Sequence, residues 1–114
     1  MDLGWEVTDH DGVPVLSVRG EVDVSTAPRL RQALIELATD GRERVVVDLD
    51  GVEFLDSTGL GVLVSGLKRF RTLGGDLILS CSQGRVLRVF EITGLDRAFE
   101  IRQSVAAAVA VATG

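Results

Sequence analysis

The length, composition and charge of the chain already exclude several classes of protein. It has 114 residues, of which 46% are hydrophobic and 25% charged, and these values predict one globular domain over residues 1–114. A formal net charge of −5 argues against nucleic acid as the partner, because that affinity comes largely from clustered Lys and Arg.

The sequence also shows no signal for a membrane or an oxidising compartment. No run approaches the length of a transmembrane helix, and the first residues lack the basic and apolar regions of a secretory signal. Cys81 is the only cysteine, which excludes an internal disulfide and a cysteine-based metal cluster, and we interpret it as a packed or half-packed thiol. We therefore expect a cytoplasmic chain with no membrane insertion.

The first two predicted elements are the strands of an antiparallel hairpin. Leu3, Trp5 and Val7 alternate with polar residues, which is typical of a half-buried strand, and a turn signal follows at residues 9–12. A second strand is predicted over residues 13–19. The hairpin should lie at one edge of the sheet, with Trp5 in the core.

A loop and a helix follow the hairpin. The chain leaves the second strand at Glu21 and Asp23, and Ser25 or Thr26 is predicted to cap a helix that runs to about Thr39. Two interpretations of Glu21 and Asp23 stay open. They form either a solvated loop with favourable charge at a helix N-terminus, or part of a site with the loop that follows the neighbouring strand.

The stretch over residues 45–67 holds the predicted centre of the sheet and the longest helix. Three consecutive valines at residues 45–47, without alternation, predict a strand covered on both faces. Ser57 is the predicted N-cap of a helix that ends near Leu73, before two glycines. Gly59 and Gly61 in its first turn each cost roughly 1 kcal/mol relative to alanine. We expect the close approach of another backbone to explain them.

The remaining pattern predicts two further strands and two further helices. A buried strand covers residues 76–80, Ser82 caps a helix that stops before Gly94, a short strand lies at residues 98–101, and Ser104 begins a terminal helix. Strands that alternate with helices imply parallel pairing. The predicted fold is α/β, a mixed but mostly parallel sheet with an N-terminal antiparallel hairpin and flanking helices, in the order β-β-α-β-α-β-α-β-α.

An enzymatic role for Ser57 is disfavoured by missing groups. A nucleophilic serine needs a base that takes its proton, but the only histidine, His10, lies in the hairpin turn. No G-x-S-x-G elbow surrounds Ser57. The glycines match neither a P-loop nor a dinucleotide-binding fingerprint, so we predict no bound cofactor and no enzyme.

Four carboxylates in the predicted connection after the central strand offer an alternative chemistry. They could bind magnesium or act as in a receiver-like phosphoaspartate domain, but a receiver opens with an acidic pair after its first buried strand, and that pair is absent. We interpret them as a solvated loop in which Asp48 or Asp50 bonds backbone donors. The four are Asp48, Asp50, Glu53 and Asp56.

Three segments resemble one protein family. The run DSTGLGVL at residues 56–63 is similar to the phosphorylation segment of the anti-sigma factor antagonists, the bacterial half of the STAS domain family. GEVDVSTAPRL at residues 20–30 and GLDRAFEI at residues 94–101 resemble two further characteristic segments of that family. The three occur in the expected order and together span residues 20–101, which is most of the chain.

The resemblance implies a binding module without catalytic activity. In its unphosphorylated form it would bind an anti-sigma factor with a histidine-kinase-like ATPase fold and so release a sigma factor. The kinase would then use ATP to phosphorylate Ser57 and end the interaction, and a phosphoserine phosphatase would reset it. The residues that this resemblance assigns to partner binding are Glu21, Asp23, Ser25, Asp56, Ser57, Thr58, Gly59 and Gly61.

The competing interpretation is a STAS module with a different partner. Such a module could belong to a stress-signalling complex or to a membrane transport system. The identity of the partner separates the two interpretations, and an enzyme is the third and least favoured class.

Overall fold

The computed structural model describes residues 2–114; Met1, the first residue of the predicted domain, lies outside the described residues. The strands are β1 (Leu3–His10), β2 (Val13–Val22), β3 (Arg44–Leu55), β4 (Asp76–Ser80) and β5 (Glu100–Arg102). The helices are α1 (Ala27–Thr39), α2 (Ser57–Thr72), α3 (Gly84–Thr93) and α4 (Val105–Thr113), and a 3-10 helix spans Leu95–Arg97.

The strands form one mixed sheet in the order β1-β2-β3-β4-β5. β1 and β2 are antiparallel, and β2, β3, β4 and β5 pair in parallel. Asp11 and Gly12 join the hairpin with positive φ angles of 55° and 84°, as a two-residue turn that matches the strand twist requires. The predicted α/β fold with its edge hairpin is therefore confirmed.

The central strand is buried on both faces, as its sequence predicts. Val45 and Val47 pack into the large core beneath α1, α2 and α3, whereas Val46 packs into a smaller core beneath α4. This division follows from the two-residue period of a strand, which sends successive side chains to opposite faces. The first three helices thus cover one face of the sheet and α4 covers part of the other.

Trp5 and Cys81 lie where the sequence places them. Trp5 is half-buried against the large core, and the Arg29 guanidinium carbon lies 5.2 Å from its ring centroid. Cys81 is buried, which confirms a packed thiol. Burial raises the pKa of the Cys81 thiol to about 11, so the group is neutral at pH 7.

β3 is longer than its prediction, and this corrects the placement of three acidic residues. Asp48, Asp50 and Glu53 lie within β3 and not in a connection, and Glu21 likewise lies within β2, which extends to Val22 and not only to residue 19. Parallel pairing with β2 continues as far as Val22 opposite Leu55, through two register shifts. Bulges of this kind let a strand continue beyond an irregular segment, and a local pattern does not reveal them.

Two boundaries near the C-terminus also differ from the prediction. Gln83, and not Ser82, precedes α3 as its N-cap residue. The last strand begins at Glu100, because residues 95–97 form a 3-10 helix and the Phe99 N–H still bonds the Leu95 carbonyl at 3.2 Å. Ser104 caps α4 as predicted, accepting from the Ala107 N–H at 3.1 Å.

Within residues 2–114, no helix has the length and apolar character needed to cross a membrane.

Candidate functional site

Two of the three segments that carry the resemblance lie side by side. In the parallel pairing of β2 with β3, Glu21 lies opposite Phe54 and Val22 opposite Leu55. Beyond the strands, the Asp56 N–H donates to the Val22 carbonyl at 3.1 Å. The predicted proximity of the two loops is therefore confirmed. We name residues 21–26 and 54–61 together the loop face.

The cap of α2 is Asp56, and the prediction that Ser57 caps this helix is wrong. The Asp56 backbone is extended, and its side chain accepts from the Gly59 N–H at 2.9 Å, which satisfies one of the free donors of the first turn. Ser57 is the first helical residue. Its side chain is exposed, and its hydroxyl makes no hydrogen bond to another group within residues 2–114.

Asp23 organises the loop between β2 and α1. Its Oδ1 accepts from the Ser25 hydroxyl at 2.6 Å, the Ser25 N–H at 2.9 Å and the Thr26 N–H at 3.1 Å. Thr26 is the N-cap residue, but its hydroxyl donates backwards to the Glu21 carbonyl at 2.8 Å and does not cap α1. The hydrogen bond from the Ser25 hydroxyl, and then those from the backbone, lower the pKa of the Asp23 carboxyl below 3.8.

The two glycines at the start of α2 have different environments. A Cβ on Gly59 would lie 2.6 Å from Val22 Cγ1 and 2.7 Å from Leu55 Cδ1, so the expected close approach of another backbone is wrong here. The neighbours are core side chains of the same chain. A Cβ on Gly61 would meet nothing within 4 Å, and this residue lies on the exposed face.

The predicted binding set therefore separates by exposure. Gly59 is buried and belongs to the packing of α2 on the sheet. Glu21, Asp23 and Asp56 are half-buried, and Ser25, Ser57, Thr58 and Gly61 are exposed. All eight residues lie on the loop face.

Two exposed apolar residues of the loop face were not predicted from the sequence. Val24 is 72% exposed and Phe54 is 50% exposed. For Val24 the sequence offered one indication of exposure, because a valine stands there in a turn of Asp, Ser and Thr residues. Phe54 gave no signal, because the predicted connection left its orientation undefined.

The acidic residues of β3 bond the protein itself. Asp48 Oδ1 accepts from the Asp50 N–H at 3.1 Å, and Asp50 Oδ1 accepts from the Ser82 N–H at 2.7 Å. The interpretation that these carboxylates bond backbone donors is confirmed, although they lie in a strand. In the part of the chain that the structure describes, no group of three His, Cys, Asp or Glu side chains could hold a metal ion.

His10 lies at the other end of the sheet from Ser57. It pairs with Val13 at the start of β2, whereas Ser57 follows the end of the parallel strand β3. Its Nε2 lies 3.1 Å from the Thr8 hydroxyl. A nucleophilic role for Ser57 with His10 as its base is therefore inconsistent with the fold.

Comparison with known proteins agrees with this geometry. The STAS domain family matches residues 4–108. An anti-sigma-B factor antagonist of Staphylococcus aureus is 39% identical over 95 residues, which cover 83% of this chain and 88% of that protein. The anti-sigma-B factor antagonist of Bacillus subtilis is 37% identical over 101 residues, covering 89% and 92%. The crystal structure of an anti-sigma factor antagonist from Mycobacterium paratuberculosis superposes with a TM-score of 0.86 at 34% identity, covering 99% and 96%. The chain therefore belongs to the STAS domain family and, within it, to the anti-sigma factor antagonists.

Proposed function

We propose that this chain is a phosphorylation-switched binding module. Its unphosphorylated form binds an anti-sigma factor with serine kinase activity, which releases a sigma factor, and phosphorylation of Ser57 by that partner ends the binding. The observation that carries the proposal is the exposed Ser57 hydroxyl, which is free of intramolecular hydrogen bonds within the described residues and lies at a helix start beside the ordered β2–α1 loop. A phosphoserine phosphatase would restore the binding form.

Ser57 is the proposed phosphoacceptor, and Thr58 is its matched control. Both side chains are exposed in the first turn of α2, so exposure alone does not separate them. The family resemblance favours Ser57, because it follows Asp56 in the Asp-Ser pair. Asp56 also fixes the first turn through Gly59, which gives the kinase a preorganised acceptor segment.

Phosphate at Ser57 should act on the complex more than on the fold. A phosphoserine carries about −1.5 to −2 charge, and the free N–H groups and dipole of a helix N-terminus favour an anion. The like charge of Asp56 opposes it by about 1.5–2 kcal/mol at 4 Å in water, because two unit charges at that distance repel each other by about 1 kcal/mol. Within a complex, by contrast, burial of an unpaired dianion against the partner is strongly unfavourable.

We propose no catalytic activity and no cofactor for the chain itself. Ser57 lacks a base, since His10 is at the opposite end of the sheet. ATP would be bound and consumed by the partner kinase. The chain would thus contribute only a surface and an acceptor hydroxyl.

Pull-down and phosphorylation with purified anti-sigma factors of the source genome test the proposal. With ADP present, the wild type should bind one of them, and with ATP present Thr58→Ala should still be phosphorylated. With ATP present, mass spectrometry should find phosphate on Ser57, and Ser57→Ala should stay bound and unmodified. Phosphate on Thr58 or Ser65 would contradict the proposal. So would binding only to a protein that is not an anti-sigma factor.

A further inference from the structure

Two of the most exposed large apolar side chains lie on the loop face. Among the described residues, five large apolar side chains are about half or more exposed: Val7, Val24, Phe54, Leu73 and Ile92. Scattered exposed apolar residues need no explanation. Val24 and Phe54, however, lie on adjoining segments at the carboxyl ends of the paired strands β2 and β3, next to the acceptor Ser57.

Val24 is held at the tip of a hydrogen-bonded turn. The Thr26 and Ala27 N–H groups donate to the Asp23 carbonyl at 3.2 and 2.8 Å, and the Asp23 N–H donates to the Thr26 hydroxyl at 2.9 Å. These bonds fix the backbone on both sides of Val24, and a β-branched side chain has few rotamers. An anchor ordered before binding loses little conformational entropy when a partner covers it.

Phe54 lies on the exposed side of the same sheet edge. It is opposite Glu21 in the β2–β3 pairing, and paired residues point to the same face of a sheet. Its neighbour Leu55 is buried in the large core, which directs Phe54 away from α1 and α2. The packing of Leu55 therefore holds the aromatic ring towards solvent.

The surroundings of these two side chains are acidic. Residues 20–28 and residues 45–67 contain carboxylates but no Lys or Arg. Arg85 is the exception, because its guanidinium donates to the Glu53 carbonyl at 3.0 Å beside Phe54, whereas Arg29 lies over Trp5. The carboxylates around the two apolar side chains are those of Glu21, Asp23, Glu53 and Asp56.

We propose that Val24 and Phe54 are the apolar anchors of the surface that docks on the anti-sigma factor. They fit a partner surface that offers an apolar socket bordered by Lys or Arg side chains. Buried apolar and aromatic anchors carry most of the energy of an interface, whereas complementary charges at its rim set orientation and association rate. This inference rests on the proposed function and specifies which residues carry its binding energy.

The position of the anchors also explains why docking leads to phosphorylation. Phe54 is three residues before Ser57, and the strand end before Val24 is bonded to Asp56 through the Val22 carbonyl. A partner seated on both anchors therefore covers the start of α2. The acceptor hydroxyl is then held against the kinase by contacts that take no part in the phosphotransfer itself.

Serine substitutions with matched controls test the anchors. Val24→Ser and Phe54→Ser should each raise the Kd for the anti-sigma factor roughly tenfold or more, and slow phosphorylation of Ser57 at low partner concentration. Ile92→Ser, which changes a 77% exposed residue of α3, and Leu73→Ser, which changes a 51% exposed one, should leave both unchanged. Thermal melts of all four should stay near that of the wild type.

The outcomes of this experiment distinguish a failure of the anchor inference from a failure of the proposed function. If the wild type binds and the Val24 and Phe54 variants bind equally well, the anchor inference is overturned and the proposed function stands. If the wild type binds none of the anti-sigma factors, both are overturned. If sedimentation shows a wild-type dimer that Val24→Ser and Phe54→Ser convert to monomers, the face is an interface between copies, which also overturns the inference.

Discussion

At the start of α2, one hydrogen bond determines which side chain is left free. The Gly59 N–H goes to Asp56, and Ser57 keeps its hydroxyl for solvent or a partner. Asp and Ser are equally good N-cap residues, so the choice between adjacent positions depends on where the chain turns from extended to helical conformation. The sequence predicts the helix start to within one residue, and that one residue decides whether the Ser57 hydroxyl caps the helix or stays free.

Asp56→Ala should therefore destabilise the protein, and Ser57→Ala should not. Loss of an N-cap side chain costs about 1 kcal/mol, whereas replacement of the exposed Ser57 by alanine breaks no intramolecular hydrogen bond among the described residues. Urea unfolding of the two variants measures the difference. Equal free energies of unfolding, or a larger loss for Ser57→Ala, would restore Ser57 as the cap.

Gly59 and Gly61 should respond oppositely to alanine. Gly61→Ala places a methyl group in open space and should stabilise the helix by up to about 1 kcal/mol. Gly59→Ala forces a methyl group against Val22 and Leu55, so it should destabilise the fold. We therefore expect alanine to be tolerated at Gly61 and not at Gly59.

Binding and stability measured together test this assignment. Gly61→Leu should keep a melting temperature near that of the wild type and weaken the complex, because its side chain points from the loop face. Normal binding by Gly61→Leu would show that the partner does not approach this residue. A stabilised Gly59→Ala would contradict the packing described for α2.

Among the helices and strands, hydrophobic periodicity predicted the bounds correctly where local signals mark the ends of a segment. The bounds of β4 and the end of α1 agree with the prediction, because glycines, caps and apolar stripes mark them. The second half of β3 has no such signal. Its extension depends on pairing with β2 across two register shifts, and only the assembled sheet contains that information.

A side-chain link from β3 to α3 is another feature that local patterns do not contain. Asp50 Oδ1 accepts from the Ser82 N–H and hydroxyl and from the Gln83 N–H, at 2.7, 3.1 and 3.2 Å. Gln83 Nε2 donates to the Leu49 and Val52 carbonyls in return. These bonds attach the start of α3 to the strand that leads to Ser57.

Removal of this link should loosen α3. Asp50→Ala should lower the free energy of unfolding by about 1 kcal/mol, because the three hydrogen bonds to its carboxylate are lost although water can solvate their exposed donors. Asp48→Ala, whose carboxylate accepts from one recorded backbone donor, is the comparison and should cost less. Amide hydrogen exchange should also rise at Ser82 and Gln83 in the Asp50 variant. If Asp48→Ala is the more damaging change, the link does not hold α3.

On the scale of the whole molecule, charge is distributed unevenly around a net charge of −5. The loop face presents carboxylates, whereas α1, α2 and α3 carry many basic side chains. Such an arrangement orients a charged partner during approach, and its effect weakens as salt screens it. The basic residues of these helices are Arg29, Arg31, Lys68, Arg69, Arg71, Arg85 and Arg88.

We propose that phosphate at Ser57 switches the interface and not the fold. Ser57→Asp and Ser57→Glu imitate the added charge, Ser57→Ala removes the acceptor, and Thr58→Asp places the same charge one residue further along α2. Since a helix N-terminus favours an anion, the acidic Ser57 variants should retain a stable fold.

Circular dichroism melts and binding isotherms on the same preparations separate an effect of the charge on the fold from an effect on binding. We expect Ser57→Asp to melt near the wild type but to lose most of its affinity for the anti-sigma factor, whereas Ser57→Ala should bind as the wild type does and stay bound with ATP. A Ser57→Asp variant that melts well below the wild type, or that binds as tightly as Ser57→Ala, would contradict this proposal.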